Sequence, residues 1–145
     1  MILTPTNHLI LACATLALLT GLVMIRLLLV RVGEMKTLGL DMQDVSNSLQ
    51  VQSQLRGVQA SDNYKNLFEM PVLFYALCAV LLASGLVTPD WVWAAWAYVG
   101  LRVLHSLIQC SYNQVLHRFI VFFVSSVLLL GMWGQLGWQM LQTAQ

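Results

Sequence analysis

Long apolar stretches alternate with polar connections along the chain. Four stretches are long and apolar enough to cross a bilayer, whose core needs roughly 20 apolar residues per helical span. They cover about residues 7–30, 63–86, 91–112 and 115–141. The connections at 87–90 and around Asn113 are short, whereas residues 31–62 form a longer, polar connection with modest helical content. The pattern predicts an all-α fold, a four-helix bundle that spans a membrane as one domain of residues 1–145.

The composition fits a chain embedded in a membrane. Hydrophobic residues make up 59% of the sequence and charged residues only 9%, whereas soluble domains carry about 25% charged residues. The first apolar stretch has no basic residue before it and no small-residue cleavage site after it, so we expect it to be retained as a helix. The net charge of +1 and the lack of a basic run argue against a nucleic-acid partner.

Basic residues predict how the bundle is oriented. Arg31, Lys36, Arg56 and Lys65 lie in or beside the long connection. The N-terminal segment, the 87–90 turn and the C-terminal tail contain no lysine or arginine. The positive-inside rule therefore predicts a cytosolic 31–62 connection and two termini on the outside. The short termini, without a transit or retention signal, favour a bacterial inner membrane.

All lysines, arginines and acidic residues within the four spans fall in the half nearest the predicted cytosol. At about 1.5 Å per helical residue, Glu69 and His105 lie roughly 10 Å from that side and Arg102 about 15 Å. Arg26 and Arg118 lie closer to the same side. Charges at such depth cost at least ~2.5 kcal/mol each on insertion scales, so they indicate a functional site.

Helical spacing groups the polar residues into two stripes. One stripe occupies a single face of the third span, with separations of three, four and three: Arg102, His105, Gln109 and Tyr112. The other leads into the second span: Arg56, Gln59, Asn63, Asn66 and Glu69. Pro71 has no N–H to donate to the carbonyl of Leu67, so we expect a kink there and a freed carbonyl that needs a partner.

Two interpretations of the buried charges stay open. Glu69 and Arg102 form a structural ion pair, or the charges surround a site for an anionic ligand. Arg26 and Arg118 exceed what Glu69 neutralises, which favours the binding site. The sequence does not decide whether Arg26 or Arg31 faces it, because the first span is uniformly apolar.

At these residues the chain resembles the MAPEG family, the membrane-associated proteins in eicosanoid and glutathione metabolism. The segment NLFE at 66–69 resembles the family's Asn-x-x-Glu on its second helix. It is joined by RVLH at 102–105 and by Arg118, thirteen residues beyond His105. The size, the four spans and the proline after the glutamate extend the resemblance over essentially the whole chain.

The resemblance implies a homotrimer that holds glutathione, as co-substrate, between subunits at the cytosolic side. Arg118 is the expected catalytic residue, because a guanidinium beside the sulfur lowers a thiol pKa from ~8.5 and favours the thiolate. The second substrate is expected to be a lipophilic electrophile or hydroperoxide that arrives through membrane lipid. No metal site is predicted. The expected glutathione-binding residues are Arg31, Lys65, Asn66, Glu69, Arg102, His105 and Gln109.

Several positions depart from the family pattern. Catalytic members commonly carry arginines where this chain has Asp62 and Lys65, and lysine binds a carboxylate as a point charge without a bidentate fork. Hydroxyl-bearing residues are replaced by Gln109, Phe119 and Phe122. These departures keep a second function open, a non-catalytic membrane scaffold that binds lipid or a partner protein. A small transporter is disfavoured, because the sequence shows neither repeated halves nor paired broken helices.

Overall fold

The computed structural model describes residues 3–40 and 58–143, which are almost entirely helical and contain no strand. Its helices are α1 (Pro5–Leu38), α2 (Val58–Asn66), α3 (Met70–Ser84), α4 (Pro89–Cys110) and α5 (Val115–Thr143). Because α2 and α3 follow one another along a single rod, the five helices form four rods. The predicted all-α membrane bundle is confirmed. The middle of the 31–62 connection, including Arg56, lies outside the described residues.

Helix α1 extends further than the sequence predicted. The expected span ended near residue 30, whereas the helix runs to Leu38 and makes residues 31–38 helical. The apolar pattern fades at Arg31, but most of the residues that follow are good helix formers. The helix stops at Gly39, whose φ of 65° is a left-handed conformation that glycine adopts without steric cost. The extension packs against α2, where Arg31 Nη2 donates to Ser61 Oγ at 3.4 Å.

The second rod is interrupted where the sequence predicted a kink. Helical geometry fails between Asn66 and Met70, and Glu69 adopts φ −89° and ψ −94°. Pro71 lies in the first turn of α3, where its missing N–H costs no helical hydrogen bond. The carbonyl that gains an outside partner belongs to Asn66 and accepts a hydrogen bond from Arg102 Nη2. The sequence predicted the freed carbonyl at Leu67, whereas the structure shows the bond from α4 one residue earlier, at Asn66.

Among the described residues, three helical segments are long and apolar enough to cross a membrane, Pro5–Leu38, Gln59–Ser84 and Val115–Gln142. Helix α4 is less apolar because it carries Arg102, His105 and Gln109, but these side chains are 0%, 2% and 0% exposed. Large apolar side chains such as Leu18 instead lie on the outside. The bundle thus turns polar groups inward and apolar groups outward, as a lipid environment requires.

The half of the bundle near the 85–88 turn has an apolar core. Leu9, Ala12 and Leu16 of α1, spaced by three and four, are all fully buried. Phe74 of α3 stacks on Tyr98 of α4 with ring centroids 4.7 Å apart. The N-cap of α4 is Thr88, and Asp90 lies in the first turn. Pro89 sets this boundary, because its fixed φ suits the first helical position.

Candidate polar site between α2, α4 and α5

Polar side chains of α2 and α4 meet along a buried interface, which we name the polar seam. Asn66 Nδ2 donates to Gln109 Oε1 at 3.3 Å, and Ser106 Oγ donates to Asn63 Oδ1 at 3.1 Å. Asn63 Nδ2 donates to Cys110 Sγ at 3.2 Å. The central residues of the two predicted stripes therefore face one another, whereas Gln59, Glu69 and Tyr112 are exposed. The polar seam comprises Asn63, Asn66, Arg102, His105, Ser106, Gln109 and Cys110.

His105 connects the polar seam to α5. Its Nδ1 lies 3.2 Å from the carbonyl oxygen of Arg118. A carbonyl only accepts hydrogen bonds, so Nδ1 must donate, and in a neutral ring Nε2 is then an acceptor. Nε2 lies 3.5 Å from Asn66 Nδ2, which donates to it, and 3.0 Å from Gln109 Oε1, which is also an acceptor and forms no hydrogen bond with Nε2 in this tautomer. The imidazole is held in one orientation by three helices.

Arg102 holds the interruption between α2 and α3. Its side chain is fully buried, and its Nη2 donates to the Asn66 carbonyl. The guanidinium carbon lies 5.2 Å from the ring centroid of Phe122, a cation–π distance. Nε and Nη1 have no hydrogen-bond partner within the described ranges, and Arg102 forms no ion pair with Glu69, which is exposed. The structural ion pair that the sequence left open is not observed.

A cavity of about 190 Å³ opens beside the polar seam. Its polar lining consists of Asn66, His105 and Arg118, and its apolar lining of Val115, Phe119 and Phe122. Arg118 is half-buried, and its Nη1 donates to Asn113 Oδ1 at 3.1 Å. One wall therefore offers a cation, an amide and an imidazole, and the other offers two phenyl rings. Such a site suits an amphipathic ligand with an anionic group.

The cavity brings together three of the eight predicted site residues, Asn66, His105 and Arg118. Gln109 and Arg102 lie behind this lining, where Gln109 bonds the side chain of Asn66 and Arg102 bonds its carbonyl. The other three do not line it: Lys65 and Glu69 are exposed, and Arg31 bonds Ser61.

Neither of the two arginines between which the sequence left a choice lines this cavity. Arg26 Nη2 donates to the carbonyl of Cys110 at 2.9 Å, at the end of α4.

Two polar residues at this site, Asn113 and Ser106, were not predicted from the sequence. Asn113 lies in the short connection before α5 with φ 47°, a left-handed conformation in which asparagine is enriched. Its side chain there accepts from Arg118. An asparagine in such a short connection was the sequence feature that could have indicated the left-handed conformation. Ser106 gave no signal, because a serine within a span usually bonds its own helix.

No group of three or more metal-ligating side chains occurs in residues 3–40 and 58–143. The fold and the site together define an integral membrane protein, a helical bundle with a partly polar cavity near one end. The sequence model of the MAPEG family matches residues 9–138, nearly the whole chain. The protein therefore belongs to the MAPEG family, which is associated with glutathione and eicosanoid metabolism, and the resemblance is confirmed. No curated protein and no solved structure matches the chain.

Proposed function

We propose that this protein is an integral membrane, glutathione-dependent transferase or peroxidase that acts on lipophilic electrophiles or hydroperoxides. The observation that carries the proposal is the convergence of Asn66, His105 and Arg118 on one cavity whose other wall is Phe119 and Phe122. The polar wall suits part of a small zwitterion, and the phenyl rings suit an apolar second substrate. Membership of a glutathione-associated family supports this assignment.

The charges around the cavity suit glutathione, which has two carboxylates, one amino group and a thiol. Arg118 bonds the neutral amide of Asn113, so within the described chain no carboxylate is paired with its charge. Beside the glutathione sulfur, this guanidinium stabilises the thiolate, which is the nucleophile. Exposed Glu69 is available for the amino group and exposed Lys65 for a carboxylate.

A second copy of the chain completes the site in this proposal. The cavity of about 190 Å³ is smaller than the roughly 300–1,000 Å³ typical of small-molecule sites. Lys65 and Glu69 belong to the predicted site but point away from the cavity lining of their own chain. A homotrimer that pairs the Glu69 face of one copy with the Arg118 face of the next supplies both halves of the glutathione site. The proposed orientation has this end at the cytosolic side of a bacterial inner membrane and both termini outside.

The second substrate enters from lipid in this account. Phe119 is 61% exposed on the outer surface of α5 and also lines the cavity. An apolar electrophile dissolved in the bilayer therefore reaches the sulfur without crossing water. Arg118 stabilises the thiolate before the reaction. The thiolate then attacks an electrophilic carbon, whose leaving group departs with the bonding pair, or the terminal oxygen of a hydroperoxide, whose O–O bond breaks to release the alcohol. In the second case a second glutathione attacks the resulting sulfenic sulfur, which gives glutathione disulfide and water.

Thiolate absorbance tests the proposal directly. Adding glutathione to the purified protein at neutral pH should produce the ultraviolet absorbance of bound thiolate. Arg118→Ala should abolish that signal, whereas Lys36→Ala, which removes an exposed cation at the end of α1, should retain it. No signal in the unmodified protein, or an unchanged signal in Arg118→Ala, would contradict the proposal.

A scaffold function is the second candidate, and Phe122 favours it. The ring lines the cavity, lies 5.8 Å from the His105 ring and packs under the Arg102 guanidinium. The resemblance implies a hydroxyl at this position, and its replacement makes the cavity more suitable for a lipid chain. Lipid binding by the assembled protein, combined with failure of glutathione to protect it against heating, would support the scaffold over the enzyme.

A further inference from the structure

A second cavity lies where α1 and α4 begin, at the end of the bundle opposite the polar seam. Its volume is about 460 Å³, within the roughly 300–1,000 Å³ typical of small-molecule sites. Part of its lining is aliphatic, and most of it consists of residues with rings. The ring-bearing residues are Pro5, His8, Pro89, Trp93 and Trp96. We name this space the tryptophan cavity and propose that it binds the head group of a membrane-dissolved quinone.

The two helix ends that form the tryptophan cavity are fixed by their own hydrogen bonds. Thr4 Oγ1 accepts from the backbone N–H of Asn7 at 3.3 Å, and the Thr4 carbonyl accepts from that of His8 at 3.1 Å. On α4, the backbone N–H of Val92 donates to the carbonyl of Thr88 at 3.2 Å. Helices α1 and α4 pack directly against one another. The tryptophan cavity is therefore formed before a ligand arrives.

The lining suits a neutral ligand with a flat ring and hydrogen-bond acceptors. None of the side-chain hydrogen bonds within residues 3–40 and 58–143 involves His8, Trp93 or Trp96. Indole N–H groups only donate, and a neutral imidazole adds one more donor. Aromatic rings also pair favourably with indole rings. A quinone head group meets these conditions, because it is a planar, uncharged ring with two carbonyl acceptors.

Charge argues against a phospholipid head group as the occupant. No lysine, arginine, aspartate or glutamate of the described chain lines the tryptophan cavity. A phosphate placed there would lose water without gaining a cation, which is unfavourable. An apolar tail, by contrast, has a path into lipid, since Trp93 is 75% exposed and Leu11, one turn beyond His8, is 43% exposed. A neutral head group on an apolar tail matches this arrangement.

The tryptophan cavity is separate from the proposed glutathione site. From Trp93 to His105, α4 advances by twelve residues, which is about 18 Å along the helix axis. The tryptophan cavity shares no lining residue with the cavity beside the polar seam. Quinone binding therefore does not depend on Arg118 or on the proposed glutathione chemistry.

Competitive photolabelling tests the proposal on the full-length protein in phosphatidylcholine nanodiscs. The protein is irradiated with an azide-bearing quinone that has a decyl tail, digested and mapped by mass spectrometry. We expect the label within residues 3–11 and 89–96, and excess decylubiquinone should remove it. Decylbenzene, which has the ring and the tail but no carbonyl, should not compete. Uniform labelling of all lipid-facing helices, equal competition by decylbenzene, or removal of the label by phosphatidylglycerol would overturn the proposal.

Matched variants test the lining residues. His8→Leu keeps the cavity apolar but removes a donor, so it should weaken competition by decylubiquinone roughly two- to tenfold. Trp93→Leu should weaken it at least as much, whereas Trp138→Leu, at a tryptophan that is 63% exposed outside the cavity, should not change it. Unchanged competition in both His8→Leu and Trp93→Leu, or equal losses in Trp93→Leu and Trp138→Leu, would contradict the assignment.

Arg118→Ala distinguishes this site from the glutathione site. It should be labelled as the unmodified protein is, even though it should lose the thiolate signal. Loss of the label in Arg118→Ala would overturn the independence of the two sites. The competition experiment on the unmodified protein remains decisive even if a variant fails to fold.

Discussion

At the end of the bundle near Asn113, α2 and α4 meet through amides, an imidazole and a buried guanidinium, whereas near the 85–88 turn the helices meet through apolar and aromatic side chains. Asn66 and His105 represent the first kind of interface. Phe74 and Tyr98, stacked at 4.7 Å, represent the second. Both ends present large apolar side chains to the outside, and this comparison concerns their interiors.

The difference supports our proposal that the apolar end stabilises the bundle and the polar end binds a ligand. In lipid, helix association depends on close packing, and interhelical hydrogen bonds contribute on average only about 0.6 kcal/mol each. A buried guanidinium with two unpartnered nitrogens, as at Arg102, is expensive to place there. The polar end therefore destabilises the fold. In our proposal, ligand binding in the adjacent cavity is the function that this arrangement serves. Each of the following variants tests one of these two ends.

Phe74→Ala tests the apolar end and should have the largest effect on stability. Phe74 is fully buried and stacked on Tyr98, so its truncation should lower the free energy of unfolding by about 3–5 kcal/mol. Denaturant titration followed by circular dichroism measures the change. Val72→Ala on the outer face of the same helix, 51% exposed, should change it by less than about 0.5 kcal/mol. Equal losses in both variants would show that the apolar end is not the stabilising one.

The Asn63–Ser106 pair tests the polar seam. Asn63→Ala removes the acceptor of the buried Ser106 hydroxyl and should cost about 1–3 kcal/mol. Asn63→Ala combined with Ser106→Ala should cost less than the sum of the single changes, by roughly 0.6–1.7 kcal/mol. Unfolding titrations of the four proteins give this coupling energy. A coupling of zero would mean that the two helices do not meet through this hydrogen bond.

Of these three tests, substitution of Asn113 should change the stability least, and it acts on a single contact, the one with Arg118. Asn113→Ala keeps a β-carbon at a left-handed φ of 47° but loses the amide that lets asparagine adopt this conformation, and it should cost about 1 kcal/mol. Asn113→Gly removes that strain, but it equally removes the acceptor of Arg118. Both variants should weaken the glutathione thiolate signal to the same extent, while only the alanine variant loses stability. Full signal in the glycine variant would show that Asn113 does not position Arg118.

Much of this architecture was accessible from the sequence, because span length and helical spacing are local properties. The separations of three and four among Arg102, His105 and Gln109 indicated a shared face, and the structure buries all three. Pro71 marked the place where the second rod is interrupted. The family itself was visible in Asn66, Glu69 and Arg118 at their spacing, and the family match confirms it.

What escaped prediction depends on three-dimensional geometry that spacing does not encode. Arg102 bonds the backbone carbonyl of Asn66 and does not bond the carboxylate of Glu69. The reason is that the interruption between α2 and α3 turns that carbonyl toward α4. The left-handed conformation of Asn113 arises from the tight connection into α5. The continuation of α1 to Leu38 was missed because hydrophobic periodicity ends before helix propensity does.

The central claim is that the cavity at the polar end binds glutathione between copies of the chain. An experimental structure of the lipid-reconstituted protein, saturated with glutathione, tests it most directly. We predict a trimer with the glutathione sulfur beside Arg118, its backbone against Asn66 and His105, and its amino group on Glu69 of the partner subunit. A monomer, or a trimer with these side chains facing lipid and no glutathione density between subunits, would contradict it.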